Sequence, residues 1–168
     1  MVIKKEFGMI ALQIKNTRQF MSTLLASDGF DAFLLDSAEL KTANTYTIDG
    51  HVNKEFFGGD ETEKPEYELS SWKALRPVCY ELIKGKHTPV SFKFILCLSP
   101  SEKEKLLGAE LSGVISSLVF IIRFSEGHIT ITTGAALSGF TLDKSYEKIW
   151  DDHMKHFLGT LNIEYEEL

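Results

Sequence analysis

The residues best suited to chemistry lie in one stretch, residues 42–57, which reads TANTYTIDGHVNKEFF. It places an acid and a base, Asp49 and His51, on either side of Gly50, with Asn53 close behind. Residues i and i+2 of a strand share a face, so Asp49 can orient the His51 imidazole for proton transfer near neutral pH. The competing interpretation is that Asp49 and Gly50 form a turn and that His51 only covers the edge of a sheet.

A second candidate site is basic and follows a predicted helix. Arg76, Lys84, Lys86 and His87 lie near the helix breaker Gly85. Arginine binds carboxylate or phosphate through two parallel hydrogen bonds, so these residues could form an anion site. Lysine and histidine at a helix C-terminus also complement the helix dipole without any ligand. The sequence leaves both interpretations open, and it leaves open whether the acidic and basic sets converge.

The sequence predicts neither a metal site nor a cofactor. His153 and His156, with Asp152 beside them, have a helical spacing at which ligands meet on one face. No HExxH motif accompanies them, and no third ligand can be named. The chain also contains no P-loop, no GxGxxG motif after a strand and no GxSxG motif.

Composition is that of a globular protein of about one domain. The chain has 168 residues, 43% of them hydrophobic and 25% charged, and 12 phenylalanines that favour an aromatic core. The formal charge of -6 argues against a protein that coats nucleic acid by charge alone. Acidic residues concentrate between residues 55 and 68, whereas residues 84–105 are lysine-rich, so a nucleic-acid partner would need a confined basic face.

The cysteines and the hydropathy pattern favour a cytoplasmic protein. Cys79 and Cys97 lack CxxC spacing and lie in apolar stretches, which indicates buried thiols rather than a disulfide scaffold. The most apolar run, residues 118–122, is far shorter than the ~20 residues needed to cross a bilayer. The first residues, MVIKKEFG, do not form a secretory signal.

Apolar periodicity divides the chain into strands and helices. Strands are predicted where apolar residues alternate or β-branched residues cluster, at residues 9–14, 30–40, 42–48, 90–98, 118–124, 128–133 and 136–142. Helices are predicted to begin at capping residues, namely Asn16, Ser70 or Ser71, Ser99 and Asp143. Pro77 falls inside the second helix, which predicts either a kink there or a helix that begins only one turn before the proline.

These elements predict an α+β fold, a mostly antiparallel sheet covered by about three helices. We expect residues 9–168 to form a single domain and residues 1–8 to be a loose N-terminal extension, with either Met1 or Met9 as the natural start. The element order is also compatible with two βαβββ units, the arrangement of a processivity-clamp domain. Fold analogy of this kind would not by itself assign a function.

Three segments carry a family resemblance: NTYTIDGHVNKEFF, WKALRPVCYELIKGKHTPVSFK and TTGAALSGFTLDKSYEKIWDD. They resemble a family of small cytosolic proteins of unknown function from anaerobic Gram-positive bacteria. The resemblance covers nearly the whole chain from Met9. It implies a cytosolic single-domain protein and transfers no catalytic residue.

The sequence therefore leaves the function unknown and supports two hypotheses. The leading hypothesis is a non-enzymatic cytosolic binding or interaction module with a protein or nucleic-acid partner and no membrane association. Its candidate surface comprises Asp49, His51, Asn53, Arg76, Lys86 and His87. The alternative is a small enzyme acting on a phosphorylated or carboxylated metabolite, with His51 as general base and Arg76 and Lys86 holding the anion. An obligate homo-oligomer, with the apolar face of the sheet as its interface, stays open as a third possibility.

Overall fold

The computed structural model describes residues 3–4 and 9–168, with side chains described over 9–168. The strands are β1 Ile3–Lys4, β2 Ala11–Ile14, β3 Leu34–Lys41, β4 Thr45–Asp49, β5 Ser91–Cys97, β6 Ile115–Ser125, β7 His128–Leu137 and β8 Tyr165–Glu167. The helices are α1 Thr17–Met21, α2 Trp72–Ile83, α3 Pro100–Leu107, α4 Ala109–Val114 and α5 Ser145–Thr160. Apart from β1, the extension expected over residues 1–8 lies outside the described residues.

The strands form one antiparallel sheet. Its order is β4-β3-β5-β6-β7-β2-β8, and β1 pairs with β7. The predicted pairing of β3 with β4 is confirmed, as is the hairpin of β6 and β7. Glu126 and Gly127 make that hairpin turn with φ of 52° and 80°, values typical of a two-residue type I′ turn. The predicted α+β class is thus confirmed.

The helices lie on one face of the sheet because alternate strand residues are apolar there. In β5, Phe92, Phe94 and Leu96 belong to the main core, which also holds Trp72 of α2 and Trp150 of α5. A smaller apolar cluster occupies the opposite face, which we call the outer face. No described helix contributes to that cluster, which comprises Leu34, Ile95, Cys97, Val119 and Ile121 with the partly buried Tyr67 and Leu69. Tyr67 and Leu69, from the segment before α2, pack against this cluster. Beyond it, the outer-face residues Glu39, Lys41, Thr45 and Thr47 are exposed.

Local capping explains where the helices begin. The Asn16 side chain accepts a hydrogen bond from the Gln19 backbone N–H at 3.0 Å, and Ser71 accepts one from Ala74 at 3.2 Å. α1 continues as a π-helical segment, Ser22–Ala26. α2 begins at Trp72 and runs through Pro77 to Ile83, so the proline lies inside the helix.

Two local predictions near the end of the chain are wrong. A separate strand over residues 136–142 is not formed: Ala136 and Leu137 end β7, and the backbone then leaves the sheet. The N-cap of α5 is Lys144 rather than Asp143, whose carboxylate instead accepts the Ser145 backbone N–H at 2.9 Å. The loop to α5 therefore leaves Leu142 exposed instead of placing it in the sheet.

Candidate functional site

Gly50 directly follows β4, and the structure requires a glycine there for a reason other than the predicted turn. Its N–H donates to the Asp36 carbonyl at 2.9 Å, and a Cβ at this position would lie 1.8 Å from the Leu35 carbonyl oxygen. Its carbonyl in turn accepts the Ser70 N–H at 2.8 Å. The backbone thus continues in an extended form against residues 68–70. The prediction of an Asp49-Gly50 turn is wrong, because the glycine is required for close backbone packing rather than for reversal of the chain.

Asp49 and His51 do form the predicted pair. The His51 imidazole Nδ1 lies 2.6 Å from Asp49 Oδ1, and the His51 backbone N–H donates to the same oxygen at 2.9 Å. The side chains are 62% and 78% exposed for His51 and Asp49, so the pair is open to solvent. The hydrogen bond to Asp49 raises the pKa of His51, and the nearby Asp36 and Glu68 carboxylates raise it further. The backbone N–H of His51, followed by its side chain, lowers the pKa of Asp49.

This pair borders a groove of about 390 Å³ on the outer face. Strand register assembles it: Ser37 pairs with Asp49, and Glu39 pairs with Thr47 on one side and with Lys93 on the other. The lining residues are Asp36, Ser37, Ala38, Glu39, Thr47, Ile48, Asp49, His51 and Lys93. The groove thus carries more carboxylates than cations.

Sequence analysis missed Asp36, Glu39 and Lys93 as members of this site. For Glu39 and Lys93 the available signal was their alternation with buried apolar residues in β3 and β5, which places polar side chains on the outer face. Asp36 gave no such signal, because it lies where the register of β3 with β5 shifts between Leu35 and Ser37. What the sequence did not contain was the strand order that places β3 between β4 and β5.

Arg76 belongs to a different part of the molecule. Its Nε and Nη2 donate to the two Asp31 carboxylate oxygens, each at 2.9 Å, and Nη1 donates to the Leu25 carbonyl at 3.4 Å. The Arg76 and Asp31 side chains are only 18% and 14% exposed. This bidentate contact links α2 to the segment before β3. Arg76 is therefore engaged in holding the helices together and does not face His51.

Lys86 and His87 lie at the opposite end of β4 from Asp49. They are exposed in the turn before β5, where the Val90 N–H donates to the Lys41 carbonyl at 2.8 Å. Lys41 pairs with Thr45, and the four steps from Thr45 to Asp49 span about 13 Å of strand. Asn53 is exposed at the start of the 3-10 segment Lys54–Phe57 and makes no side-chain capping bond. Of the six candidate residues, the structure brings Asp49 and His51 into contact.

The lysine-rich segment 84–105 is used in intramolecular contacts. Lys84 pairs with Glu81 at 2.9 Å and Lys105 with Glu102 at 3.2 Å. Lys103 donates to the carbonyls of Ser112, Ile115 and Ser116 around the end of α4. These contacts reduce the basic surface that the sequence indicated.

The histidines of α5 and the cysteines take structural positions. His153 stacks on Trp150 with ring centroids 5.6 Å apart, and Asp152 pairs with Lys148 at 2.6 Å. Over the described residues, no group of three or more His, Cys, Asp or Glu side chains is arranged to hold a metal ion. Cys79 and Cys97 are buried, and burial raises their pKa values to about 12 and about 11.

A second cleft, of about 550 Å³, lies between α4, the loop after β7 and the start of α5. Leu111, Val114 and Ile149 line it, together with Phe140, which is 83% exposed. Sequence analysis assigned Phe140 to a strand and therefore missed this cleft.

Comparison with known proteins identifies one relationship. The model of a family described as Family of unknown function (DUF5721) matches residues 23–166. No curated protein and no solved structure matches the chain. None of the described helices is long and apolar enough to cross a membrane.

Proposed function

The chain belongs to the Family of unknown function (DUF5721), and we propose that it is a non-enzymatic binding module that recognises a positively charged segment of a partner protein at the outer-face groove. The observation that carries this proposal is the excess of carboxylates around the groove. Asp36, Glu39 and Asp49 line it, against Lys93 and His51, whose pKa is raised by its hydrogen bond to Asp49.

The groove offers hydrogen-bond acceptors and negative charge to a ligand. Asp49 already accepts two hydrogen bonds from His51, and its carboxylate is 78% exposed, so a second donor has access to it. Ser37 and Thr47 add hydroxyl groups between the carboxylates. A lysine or arginine side chain on an extended segment complements such a lining in charge and in hydrogen bonding.

The placement of the basic residues does not favour nucleic acid. Binding to phosphates requires lysine and arginine side chains that share one face. Arg76 is bonded to Asp31, Lys84 to Glu81, and the Lys86–His87 turn lies beyond the far end of β4. A protein partner therefore fits the charge distribution better than a nucleic acid does.

A binding titration tests this proposal. The probes are a fluorescein-labelled peptide of alternating lysine and threonine and a second peptide with glutamate in place of lysine. We expect the lysine peptide to bind, and its affinity to fall between ionic strengths of about 0.01 M and about 0.15 M. Glu39→Gln should weaken binding by about twofold to fivefold. Glu104→Gln, which removes the same charge from exposed α3, is the matched control and should leave affinity unchanged.

Equal anisotropy changes with the two peptides, or no binding by either, would show that the groove does not select positive charge. Equal losses of peptide affinity in Glu39→Gln and Glu104→Gln would mean that the net charge of the protein, and not the groove, causes the effect. Either result would contradict the proposed site.

The Asp49–His51 hydrogen bond also favours a second candidate, a small enzyme with His51 as general base. The 2.6 Å contact fixes the orientation of the imidazole, as such a base requires. Its proposed anion-holding partner Arg76 is instead bonded to Asp31. The carboxylates around His51 repel a phosphorylated or carboxylated substrate, and for that reason we place this candidate second.

We place this module in the cytoplasm of an anaerobic Gram-positive bacterium, as one domain over residues 9–168. The two buried, unpaired cysteines support a reducing compartment. The main core supports a single domain, because it includes residues from β2 near the start of the chain and from α5 near its end. Expression as residues 9–168, followed by a cooperative unfolding measurement, tests the boundary.

A further inference from the structure

The two edges of the sheet differ in their protection. β8, at one edge, has three residues, two of them glutamates. β4, at the other edge, reads TYTID and contains no lysine, no proline and no break in its register with β3. Edge strands in soluble proteins are usually blunted by charges, prolines or bulges, because they present unpaired backbone groups. Apart from Asp49 at its end, β4 has none of these devices and is thus suited to pairing with another strand.

The hydrogen-bond register identifies which backbone groups of β4 are free. The Gly50 N–H donates to the Asp36 carbonyl, and the Thr42 N–H donates to the Asn44 carbonyl. In an antiparallel pair, hydrogen-bonded positions alternate along the strand, so the even-numbered residues of β4 are the ones bonded to β3. The N–H and C=O groups of Thr45, Thr47 and Asp49 therefore point away from the sheet. Their side chains lie on the outer face, in register with Lys41, Glu39 and Ser37.

We propose that β4 pairs antiparallel with β4 of a second copy of this chain, around a two-fold axis at Thr47. The outward-pointing groups of one copy then bond those of the other. In this register Thr47 faces the partner's Thr47, and Thr45 faces the partner's Asp49. Tyr46 faces the partner's Ile48. One sheet runs through both copies, and an isologous interface of this kind closes as a dimer.

The register is complementary in charge on the outer face. Lys41 lies beside Thr45 in its own copy, so the partner's Asp49 is two strand spacings away, about 10 Å between Cα atoms. In the single chain the Lys41 Nζ lies 3.8 Å from Glu39 Oε1. In the dimer, an extended Lys41 side chain reaches across the intervening threonine toward the partner's carboxylate. Two-fold symmetry repeats this contact. No two like charges of β4 face each other directly.

The register is also complementary on the helix-covered face. Leu40 pairs with Tyr46, and Ala38 pairs with Ile48. Across the two-fold axis, Tyr46 of one copy lies beside Ile48 of the other, so Leu40, Tyr46 and the partner's Ile48 and Ala38 form one continuous line of side chains. Tyr46 is 38% exposed in the single chain, and this contact buries it against an apolar side chain.

The dimer changes the proposed binding surface as well. Thr47 lines the groove in each copy, so pairing at Thr47 places the two grooves side by side across the axis. A partner segment then meets one continuous outer face built from both copies. The dimer itself stands without the proposed function, since its test needs no ligand.

Sedimentation equilibrium from about 1 μM to 1 mM protein tests the dimer. We expect a reversible dimer of the unmodified chain. Thr45→Asp places a carboxylate opposite the partner's Asp49 twice per dimer and should weaken association on the order of tenfold. The variant should still fold, because the introduced carboxylate lies beside Lys41 of its own copy. The matched control is Ser125→Asp, which adds the same charge at the same level of the outer face, on β6 away from the edge.

Rescue by a second substitution separates this register from a general charge effect. Asp49→Lys alone should weaken the dimer, because it brings a lysine toward the partner's Lys41. Thr45→Asp combined with Asp49→Lys should restore association, because each new carboxylate then faces a new lysine. Within one chain the two positions lie about 13 Å apart along β4, so they do not compensate each other there.

A monomer throughout the concentration range would overturn the proposal and leave the β4 edge to another chain. Equal weakening by Thr45→Asp and Ser125→Asp, or no rescue in the double variant, would overturn this register. The lysine-peptide titration has its own readout, so failure of the dimer and failure of the binding groove are distinguishable.

Discussion

Asp49 combines two roles through one oxygen. Its Oδ1 accepts the His51 backbone N–H and also contacts the His51 imidazole, so it fixes both the chain after β4 and the side chain of the base. Gly50 makes this possible because it lets the backbone pack against the Leu35 carbonyl. The geometry of the pair therefore depends on a glycine that carries no reactive group.

Removal of the Asp49 charge should lower the pKa of His51. The hydrogen bond that His51 donates to Asp49 is the largest cause of the raised pKa, so Asp49→Asn should move the pKa of His51 toward the ordinary value of 6.5. NMR titration of the imidazole protons measures this change. The pKa of His153, which burial lowers, should stay as it is and serves as the control. An unchanged His51 pKa would mean that the pair is not formed in solution.

The sign of the linked pH effect follows from the same shift. A histidine with a raised pKa in the folded state contributes stability that is complete below 6.5 and is lost as pH rises through the folded pKa. Because both side chains are largely exposed, we expect a small effect on the free energy of unfolding.

Helix α2 is held in place by contacts with residues far earlier in the chain. Trp72 is buried, and its Nε1 donates to the Leu24 carbonyl at 2.9 Å. Arg76, one turn later, binds both Asp31 carboxylate oxygens. Both contacts connect α2 to segments about 45 residues or more earlier in the chain. The basic residue that sequence analysis associated with an anion site therefore helps to place α2.

Arg76→Ala should destabilise the fold by about 1–3 kcal/mol, because it leaves the partly buried Asp31 carboxylate without its partner. Urea denaturation measures the free energy of unfolding. Lys84→Ala removes an exposed ion pair from the same helix and should cost less than about 1 kcal/mol. Similar losses in the two variants would argue against a structural role for the Arg76 contact.

At the scale of the whole molecule, α5 closes the fold by crossing the sheet. Its Asp151 is buried, and the Thr133 hydroxyl of β7 donates to Asp151 Oδ1 at 2.6 Å. The Thr133 hydroxyl oxygen in turn accepts the Ile10 N–H at 3.1 Å. Glu147, one turn earlier, is also buried, and its Oε1 has no hydrogen-bond partner. Asp151 and Glu147 are thus both buried, and the contacts of Asp151 join α5 to β7 and, through Thr133, to Ile10.

This burial predicts a pH dependence of stability. Desolvation raises the pKa of Asp151, so the folded state binds its proton more tightly than the unfolded state does. The contribution of Asp151 to stability should therefore be most favourable below the ordinary aspartate pKa of 3.8 and fall as pH rises through the pKa of the folded state. Asp151→Asn removes this dependence. The difference in unfolding free energy between the two proteins, measured by urea denaturation from acid to neutral pH, should change in that direction.

An Asp151→Asn variant whose stability tracks that of the unmodified protein at every pH would contradict this prediction. Asp152→Asn is the matched control, because the neighbouring Asp152 is exposed and pairs with Lys148.

The possibility of two βαβββ units was a prediction at this scale. The first unit follows the order strand, helix, strand, strand, and the second runs through β5, α3, α4, β6 and β7, so it has one more helix than the predicted unit. All strands share one sheet, in which β2 and β3 are separated by β5, β6 and β7. No solved structure matches the chain, so the likeness to a processivity clamp stays a prediction.

The sequence alone determined features that depend on near neighbours along the chain. The alternation in β5, the caps at Asn16, Ser71 and Ser99, and the apolar stripe of α5 each result from a period or a local hydrogen bond. For the same reason the Asp49–His51 pair was predictable, because two positions along a strand place both side chains on one face.

Only the tertiary structure decided which distant residues meet. Strand order placed Lys93 beside Glu39 and assembled the groove around His51, and the packing of α2 against the segment before β3 brought Arg76 to Asp31. The same order left β4 at an edge and required glycine at position 50. Such contacts depend on the packing of whole elements, whose pairing no local period specifies. The sequence thus determined the individual strands and helices and the acid–base pair, while long-range packing decided which residues surround that pair.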